Sequence, residues 1–356
     1  MRGESKERES KEREIEERFP PSSPGSANVN RRDALKVLGI GAFGAPIAAA
    51  LHAPAALAAN TAPAQPQPIT GSVDHLEGEH EKAGNPFNPC GKPRRAQHFT
   101  GPFPTNYTTY MVNSPNQPHD LPLRVLLPDK LETIASPRVL YVLPDMPGIV
   151  RDDGLLSVLE ADLHNKYGLI AVSPSFSDWP WYADNPRNPK IRQETYFVNE
   201  IVPFIDKVYP KASKVRLLVG MSKSGNGAFQ LLLRHPDVFH AAAIFDSPLM
   251  ANSATQFQAV DIYGDNENFM KNYCVPQLLL ERAELLRGKP PRFAILGYSL
   301  FGGPNAMHGP HLQEAHAFME SLGIRHIYQS NTCRDHLYGS GWLEGAVAAL
   351  DKMSRS

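Results

Sequence analysis

A serine flanked by small residues lies near the middle of the chain, directly after a pattern typical of a buried strand. The apolar run 215–219 leads into Gly-Met-Ser-Lys-Ser at 220–224, and a leucine-rich helical pattern follows over 225–235. A nucleophile elbow requires this strand–turn–helix context, because the sharp turn holds the serine hydroxyl clear of the sheet. No G-x-G-x-x-G or Walker pattern occurs here, which disfavours a phosphate-binding turn. Ser222 is therefore the predicted nucleophile, although Ser224 stands where the G-x-S-x-G motif has glycine.

A serine hydroxyl is a weak nucleophile and needs a general base, most often a histidine. His336 follows the last predicted strand (326–329) and precedes the last predicted helix (341–353), where the histidine of such a site is expected. Other histidines lie nearby, three of them on predicted elements where structural roles are expected. These alternatives are His308, His311, His316 and His326. His336 is the predicted general base.

Strand and helix patterns alternate through the part of the chain that must position these residues. Two strands joined by a Pro-rich turn, at 107–112 and 121–127, predict an antiparallel hairpin at the sheet edge. Further strands are predicted at 138–143, 169–173, 215–219, 241–245, 293–296 and 326–329, and helices at 155–166, 191–209, 225–235, 275–287, 311–322 and 341–353. This alternation predicts an α/β fold with a mostly parallel sheet flanked by helices.

At these motifs the chain resembles the putative-esterase branch of the α/β-hydrolases, which includes feruloyl esterases, enterochelin esterase, S-formylglutathione hydrolase and mycolyltransferases. The resemblance covers 138–342 and is strongest over Gly-Met-Ser-Lys-Ser-Gly-Asn-Gly-Ala at 220–228, with the adjoining 231–239 and 194–206. It implies the α/β-hydrolase fold and serine esterase activity without a cofactor. It also implies that the backbone N–H of Met146 serves the oxyanion hole.

The geometry of an elbow supplies the second oxyanion donor. The N–H of Lys223, the residue after the nucleophile, lies at a helix start and favours negative charge on a tetrahedral intermediate. The resemblance places the carboxylate that orients the histidine within 297–311, but this segment contains no Asp or Glu. Asp246 is the first substitute because it ends a parallel strand at the edge where active-site residues gather. Asp265, Glu267 or no acid at all remain open, and Asp335 adjoins His336 too closely to orient it.

An aromatic loop at 176–182 is the predicted substrate contact. Trp179 and Trp181 could stack on a sugar or an aryl acyl group, or could pack as part of a lid or core. The predicted substrate is a small-molecule or carbohydrate ester. Two other functions stay open: a non-catalytic binding protein with a hydrolase fold, and an acyltransferase that uses the same site.

The composition and the leader indicate the compartment. The chain has 42% hydrophobic and 21% charged residues with a net charge of −1, so it lacks the basic excess of a nucleic-acid-binding protein. The paired arginines at 31–32, the apolar run 37–59 and the small residues at 56–58 predict a twin-arginine signal peptide that is cleaved near Ala58. A retained membrane anchor is the alternative. The predicted organisation is therefore a leader over 1–58, a linker over 59–104 and a hydrolase domain over 105–356, with a periplasmic or secreted product.

The cysteines show no metal-binding spacing. Cys90, Cys274 and Cys333 form no C-x-x-C pair, and the chain has no H-E-x-x-H pattern, so no metal site is predicted. One disulfide with one free thiol, or three unpaired thiols, are both compatible with the sequence.

Overall fold

A nine-stranded mixed sheet organises the protein. The computed structural model describes the short strand Asp74–His75 and residues 107–147, 154–298, 308–329 and 333–355. These residues belong to one compact unit, His52–Ser356. The predicted signal peptide (1–58) and all of the predicted linker (59–104) except Asp74–His75 lie outside the described residues, so the predicted division of the chain remains a prediction.

The strands run in the order β1-β9-β8-β7-β6-β4-β5-β3-β2 across the sheet. The first seven strands in this spatial order form six parallel pairs. At the other edge, β3 pairs antiparallel with both β5 and β2, and β2 and β3 form the hairpin. The prediction of a mostly parallel sheet with an antiparallel edge hairpin is confirmed. The strands are β1 (Asp74–His75), β2 (Tyr107–Val112), β3 (Leu121–Leu126), β4 (Arg138–Val142), β5 (Leu169–Ser173), β6 (Arg216–Met221), β7 (Ala241–Phe245), β8 (Phe293–Ile295) and β9 (Ile327–Tyr328).

Helices connect the strands and cover both faces of the sheet. The described helices are α1 (Leu155–Glu160), α2 (Leu163–Tyr167), α3 (Gln193–Tyr196), α4 (Val202–Val208), α5 (Ser222–Arg234), α6 (Val260–Tyr263), α7 (Asn266–Asn272), α8 (Val275–Leu286), α9 (Gly309–Ser321) and α10 (Leu343–Met353). A π-helical turn, Phe197–Ile201, joins α3 to α4. The helix predicted at 155–166 is in fact two helices, because the backbone enters the left-handed region at Asp162 (φ 54°).

Successive residues of the central strands point to opposite faces and build two apolar layers. Leu218 of β6 lies in the layer that contains Phe229 of α5. Val219, the next residue, lies in the layer that contains Trp342 and Leu350 beside α10. The central strands are therefore buried on both sides, as their continuous apolar patterns indicate.

A third apolar group, the aromatic cluster, is built from the loop after β5 and the helices α6 and α7. Its members include Trp181, Tyr263, Phe269 and Tyr273. The sequence predicted neither α6 nor α7, because α6 has only four residues and the seven residues of α7, rich in Asn, carry little helical periodicity. Trp181 of this cluster donates its backbone N–H to the carbonyl of Trp179 at 3.0 Å, which ties the chain around Trp179 to the cluster.

A buried charged group fastens the aromatic cluster to the domain. Glu194 of α3 accepts hydrogen bonds from Arg234 Nε (2.6 Å) and from Tyr273 Oη (2.8 Å), and its Oε1 lies 2.6 Å from His235 Nε2. Arg234 also donates to the carbonyl of Asn272 at 2.8 Å. Burial opposes ionisation of Glu194, but the hydrogen bonds from His235 and Arg234 and the charge of Arg234 outweigh it and lower the pKa to about 2. The carboxylate is thus a fixed negative charge that joins α3, α5 and the end of α7.

The described cysteines differ in their bonding state. Cys333 is disulfide-bonded and Cys274 is a buried free thiol, whereas Cys90 lies outside the described residues. The structure therefore has a disulfide together with a free thiol, one of the two alternatives left open by the sequence.

No helix in the described part of the chain combines the length and apolar character needed to cross a bilayer.

Candidate active site

Ser222 lies in a strained turn between β6 and α5. Its φ is +52°, a left-handed conformation that is costly for a residue with a side chain. The turn is tight enough that a Cβ at position 220 would lie 2.4 Å from the carbonyl oxygen of Ser224, and one at Gly225 would lie 2.8 Å from Cβ of Ser247. Glycine is required at both places. The predicted nucleophile elbow is present as the sequence indicated.

Asp246 contacts both other residues of the predicted triad. It follows β7, the parallel neighbour of β6, and it is completely buried. Its backbone carbonyl accepts a hydrogen bond from the N–H of Ser222 at 3.0 Å. Its carboxylate Oδ2 lies 2.6 Å from Nδ1 of His336. The structure therefore brings Ser222, Asp246 and His336 to one edge of the sheet.

The hydrogen bond to Asp246 determines the proton positions on His336. A carboxylate can only accept, so Nδ1 of His336 carries the proton and the lone pair lies on Nε2. This is the tautomer that a general base needs in order to take a proton from a serine hydroxyl. The short contact also favours the imidazolium that forms afterwards, because a charge-assisted hydrogen bond strengthens as the histidine becomes positive.

Tyr338 fixes the loop that carries His336 (333–342, called the histidine loop) against the elbow. The sequence did not predict this contact. Its hydroxyl donates to the carbonyl of Leu143 and lies 3.2 Å from Oγ of Ser224. Oγ of Ser224 also accepts from the N–H of Met221 at 3.0 Å. The serine that departs from the usual glycine thus links β6 to the histidine loop and, through Tyr338, to the loop after β4. The position of Tyr338 two residues after His336 was the available signal.

The two predicted oxyanion donors follow adjacent strands, β4 and β6. Met146 is in the loop after β4, and Lys223 is the second residue of α5, where the first N–H groups of the helix have no carbonyl partner within the helix. The Met146 loop is held by the hydroxyl of Tyr182, which donates to the carbonyl of Pro144 at 2.8 Å. Because β4 and β6 are parallel neighbours, both N–H groups belong to the same edge of the sheet.

The alternative histidines separate into two pairs. Nδ1 of His316 lies 2.8 Å from Nε2 of His326, and the His316 ring stacks on Tyr328 at 3.8 Å, so this pair packs beside β9. His308 and His311 lie closer to the predicted base, and the His308 ring is 5.8 Å from that of His336. Burial lowers the pKa of His308 to about 3 and that of His311 to about 4, so both stay neutral. They add no positive charge beside the predicted base at neutral pH.

The alternative acids serve other purposes. Oδ1 of Asp265 accepts from the N–H of Asn268 at 2.8 Å and caps α7. Glu267 lies in the first turn of the same helix, where a negative charge is favourable. The carbonyl of Asp335 accepts from Oγ of Ser340, within its own loop. Among the candidate acids, Asp246 is the one whose carboxylate the structure places on His336.

The two tryptophans predicted to contact substrate differ, and the prediction is wrong for Trp181. Its side chain is 3% exposed and lies 6.2 Å from the ring of Phe257 and 6.0 Å from that of Tyr263, inside the aromatic cluster. A ring buried in this way cannot stack on a substrate, because its faces already contact other rings. Trp179 is 45% exposed, and its ring lies under the Nζ of Lys223 at 4.7 Å. Trp179 is therefore available to a ligand near the elbow.

Groups of three or more metal-ligating side chains are absent from the part of the chain that the structure describes. The arrangement instead provides a serine at an elbow, a histidine in the correct tautomer and a buried carboxylate, at the carboxyl edge of an α/β sheet. The fold and the site together define an α/β-hydrolase.

Comparisons with known proteins agree with this class. The sequence matches the family described as Putative esterase over residues 170–332. An S-formylglutathione hydrolase from Agrobacterium tumefaciens superposes with a TM-score of 0.54 at 17% identity and covers 68% of this chain and 94% of its own. A ferulic acid esterase superposes at 0.53 with 19% identity, over 70% and 97% of the two chains. The substrate-bound fluorophosphonate-binding serine hydrolase F of Staphylococcus aureus superposes at 0.53 with 16% identity, over 70% and 98%. No curated protein matches the sequence.

The structural similarities show the fold, and the family match over part of the chain supports the activity. Residues 170–332 are similar to the Putative esterase family, and this match, together with the site, supports a carboxylic ester hydrolase of the α/β-hydrolase class.

Proposed function

We propose that this esterase works through an acyl-enzyme on Ser222, with His336 as general base and Asp246 as its orienting acid. The observation that carries the proposal is the double contact of Asp246, whose carbonyl accepts from the N–H of Ser222 while its carboxylate accepts from Nδ1 of His336. A non-catalytic protein would have no need of a strained serine next to a buried Asp–His pair. Strain of this kind is retained where it serves a site.

The proposed reaction has two steps. Oγ of Ser222 bonds to the ester carbonyl carbon as its proton moves to Nε2 of His336, and the N–H groups of Met146 and Lys223 donate to the oxyanion. Collapse of this intermediate breaks the ester C–O bond, and the imidazolium returns the proton to the departing alcohol. Water then attacks the acyl-serine by the same route and releases the acid, so that no oxidant, metal or cofactor takes part.

Hydrolysis of p-nitrophenyl acetate and butyrate tests this mechanism, together with labelling by a fluorophosphonate probe. The protein should begin at Ala59, and wild type should be compared with Ser222→Ala. We expect wild type to turn over both esters and to react with the probe, and the variant to lose both properties. Turnover that survives in Ser222→Ala would refute Ser222 as nucleophile, and a wild type that neither reacts nor labels would favour a non-catalytic role.

For the substrate we propose an acylated carbohydrate. The half-exposed ring of Trp179 next to the elbow supports this, because an indole face can stack on a sugar ring. Release of acetate or of a phenolic acid from acetylated or feruloylated oligosaccharides should exceed release from simple alkyl esters. Product analysis with an added sugar alcohol distinguishes hydrolysis from transfer, because an acyltransferase would form the new ester instead of the free acid.

For the compartment we propose export by the twin-arginine machinery and a periplasmic or secreted mature protein. The support is the sequence of the leader, with Arg31-Arg32 before an apolar run and small residues up to Ala58. Fractionation of cells that express the full chain should show a processed protein outside the cytoplasm. The double substitution Arg31→Lys, Arg32→Lys should leave the precursor inside, and an unprocessed, membrane-bound wild type would refute cleavage near Ala58.

A further inference from the structure

The side chain of Lys223 has an unusual position for a lysine. It follows the nucleophile directly, is partly buried, and its Nζ lies 4.7 Å from the centroid of the Trp179 ring. Cation–π contact offsets part of the cost of removing an ammonium from water, though less than a carboxylate partner would. The charge is therefore held within one side-chain length of the serine that attacks the substrate.

Within the residues that the structure describes, no carboxylate forms an ion pair with this ammonium. Burial lowers the pKa of Lys223 and the nearby Asp145 opposes this, but the two side chains make no ion pair. Two other acids of the site make their own hydrogen bonds: Asp246 accepts from His336 at 2.6 Å, and Asp178 accepts from the backbone N–H of Trp179 at 2.7 Å. A partly desolvated cation without an ionic partner, beside an accessible indole face, is a site that an anion would complete.

We propose, as an extension of the esterase function proposed above, that Lys223 and Trp179 form a subsite for a carboxylate carried by the substrate. The ammonium donates to the carboxylate, while the indole contacts the carbon chain or ring that joins it to the ester. The preferred substrates are then esters with an anionic group a few bonds from the scissile carbonyl. The carboxylate can belong to the acyl part or to the alcohol part.

Two matched ester pairs distinguish these sources. For the acyl side, p-nitrophenyl hydrogen adipate is compared with neutral p-nitrophenyl hexanoate, after subtraction of spontaneous hydrolysis. For the alcohol side, 4-acetoxybenzoate is compared with neutral 4-acetoxybenzamide. We expect the anionic member of at least one pair to have a kcat/KM about 10- to 100-fold higher, the range of one charge-assisted hydrogen bond. The preference should decrease as ionic strength rises.

Substitutions then test whether Lys223 causes the preference. Lys223→Met should bring the anionic-to-neutral ratio close to one, and Lys223→Arg should retain most of it. Lys207→Met, the same exchange at an exposed position on α4, should keep the wild-type ratio. Because the ratio is measured within each variant, a loss of folded protein does not affect it.

Three outcomes would overturn the inference. The first is that wild type shows no higher kcat/KM for the anionic ester in either pair. The second is a Lys223→Met variant that loses the same factor on anionic and neutral esters, which would make the ammonium a general stabiliser of the oxyanion. In both cases turnover and labelling of Ser222 would leave the proposed esterase mechanism intact. Failure of all four esters to react, without labelling, would refute that mechanism and this inference with it.

Discussion

The carboxylate of Asp246 lies 2.6 Å from Nδ1 of His336, across 90 residues of sequence. Asp246 follows β7, whereas the resemblance placed the acid after β8. Both positions lie at the carboxyl edge of adjacent parallel strands, so either can reach a histidine in the loop after β9. The missing carboxylate in 297–311 therefore does not leave the histidine without an orienting acid.

Replacing Asp246 by Asn should lower kcat by about 10²- to 10⁴-fold with little change in KM. An amide can donate to Nδ1 of His336 and stabilise the wrong tautomer, which cannot accept the proton of Ser222. The checks are kcat for p-nitrophenyl butyrate and the rate of fluorophosphonate labelling. Asp335→Asn is the matched control and should behave like wild type. A large loss in the control with a mild effect at position 246 would assign the acid to Asp335 instead.

Removing the hydroxyl of Tyr338 should reduce stability and activity together. In Tyr338→Phe the buried carbonyl of Leu143 loses its donor, at a cost of about 1–3 kcal/mol in the free energy of unfolding. The loop that carries Met146 should also become less well placed, so kcat should fall. Urea unfolding and ester hydrolysis measure the two effects. Tyr328→Phe is the control, because that hydroxyl makes no hydrogen bond within the described residues, and equal losses in both variants would argue against the assigned contact.

The local features of the site could be predicted from the sequence. The elbow at Ser222 depends on residues within a few positions of each other, namely a buried strand, small neighbours and the start of a helix. Its strained φ and the close approach of Gly220 to Ser224 follow from the same short segment, whereas the contact of Gly225 with Ser247 depends on the neighbouring strand. The strands were predictable for a similar reason, since burial on both faces produces continuous apolar runs.

The long-range features could not be predicted in the same way. Asp246, Asp265 and Glu267 were all candidate acids, and only the order of strands in the sheet decides which one meets His336. Trp179 and Trp181 lie in the same short aromatic segment of the sequence. The structure buries the ring of Trp181 in the aromatic cluster and leaves that of Trp179 about half exposed. That outcome depends on α6 and α7, which are too short to show a helical pattern in the sequence.

Acid should unfold the protein partly through Glu194. Its pKa is about 2 in the folded protein and 4.5 for an unperturbed carboxyl, so its depressed value stabilises the fold above pH 4.5. That contribution decreases as the pH falls from 4.5 towards 2 and amounts to about 3 kcal/mol at most. Urea unfolding between pH 7 and pH 2.5 should show this loss. Glu194→Gln should be less stable at pH 7 and should have a flatter profile below pH 4.5.

An exposed glutamate provides the control for this effect. Glu267→Gln should keep the wild-type dependence on pH, because a solvent-exposed side chain contributes little. If Glu194→Gln shows the same steep loss as wild type below pH 4.5, other carboxylates must cause it. The carboxylate would then not be the group that fastens the aromatic cluster at low pH.

Two helical glycines should respond in opposite ways to alanine. A Cβ at Gly227 of α5 would lie 2.2 Å from Cδ2 of Tyr182, a fully buried ring whose hydroxyl donates to the carbonyl of Pro144. The ring has no room to move in a packed core, so Gly227→Ala should cost on the order of 3 kcal/mol in the free energy of unfolding. Since Tyr182 holds the Met146 loop, kcat should fall as well.

Gly345 lies in α10, where the nearest atoms to an added Cβ are 4.0 Å away. Gly345→Ala should therefore stabilise the protein by about 0.5–1 kcal/mol, because alanine loses less backbone entropy in a helix. Urea unfolding and p-nitrophenyl butyrate turnover of both variants make the comparison. If Gly227→Ala matches Gly345→Ala in stability, Tyr182 must be able to shift. If Gly227→Ala is then also fully active, the contact of Tyr182 with Pro144 does not position the Met146 loop.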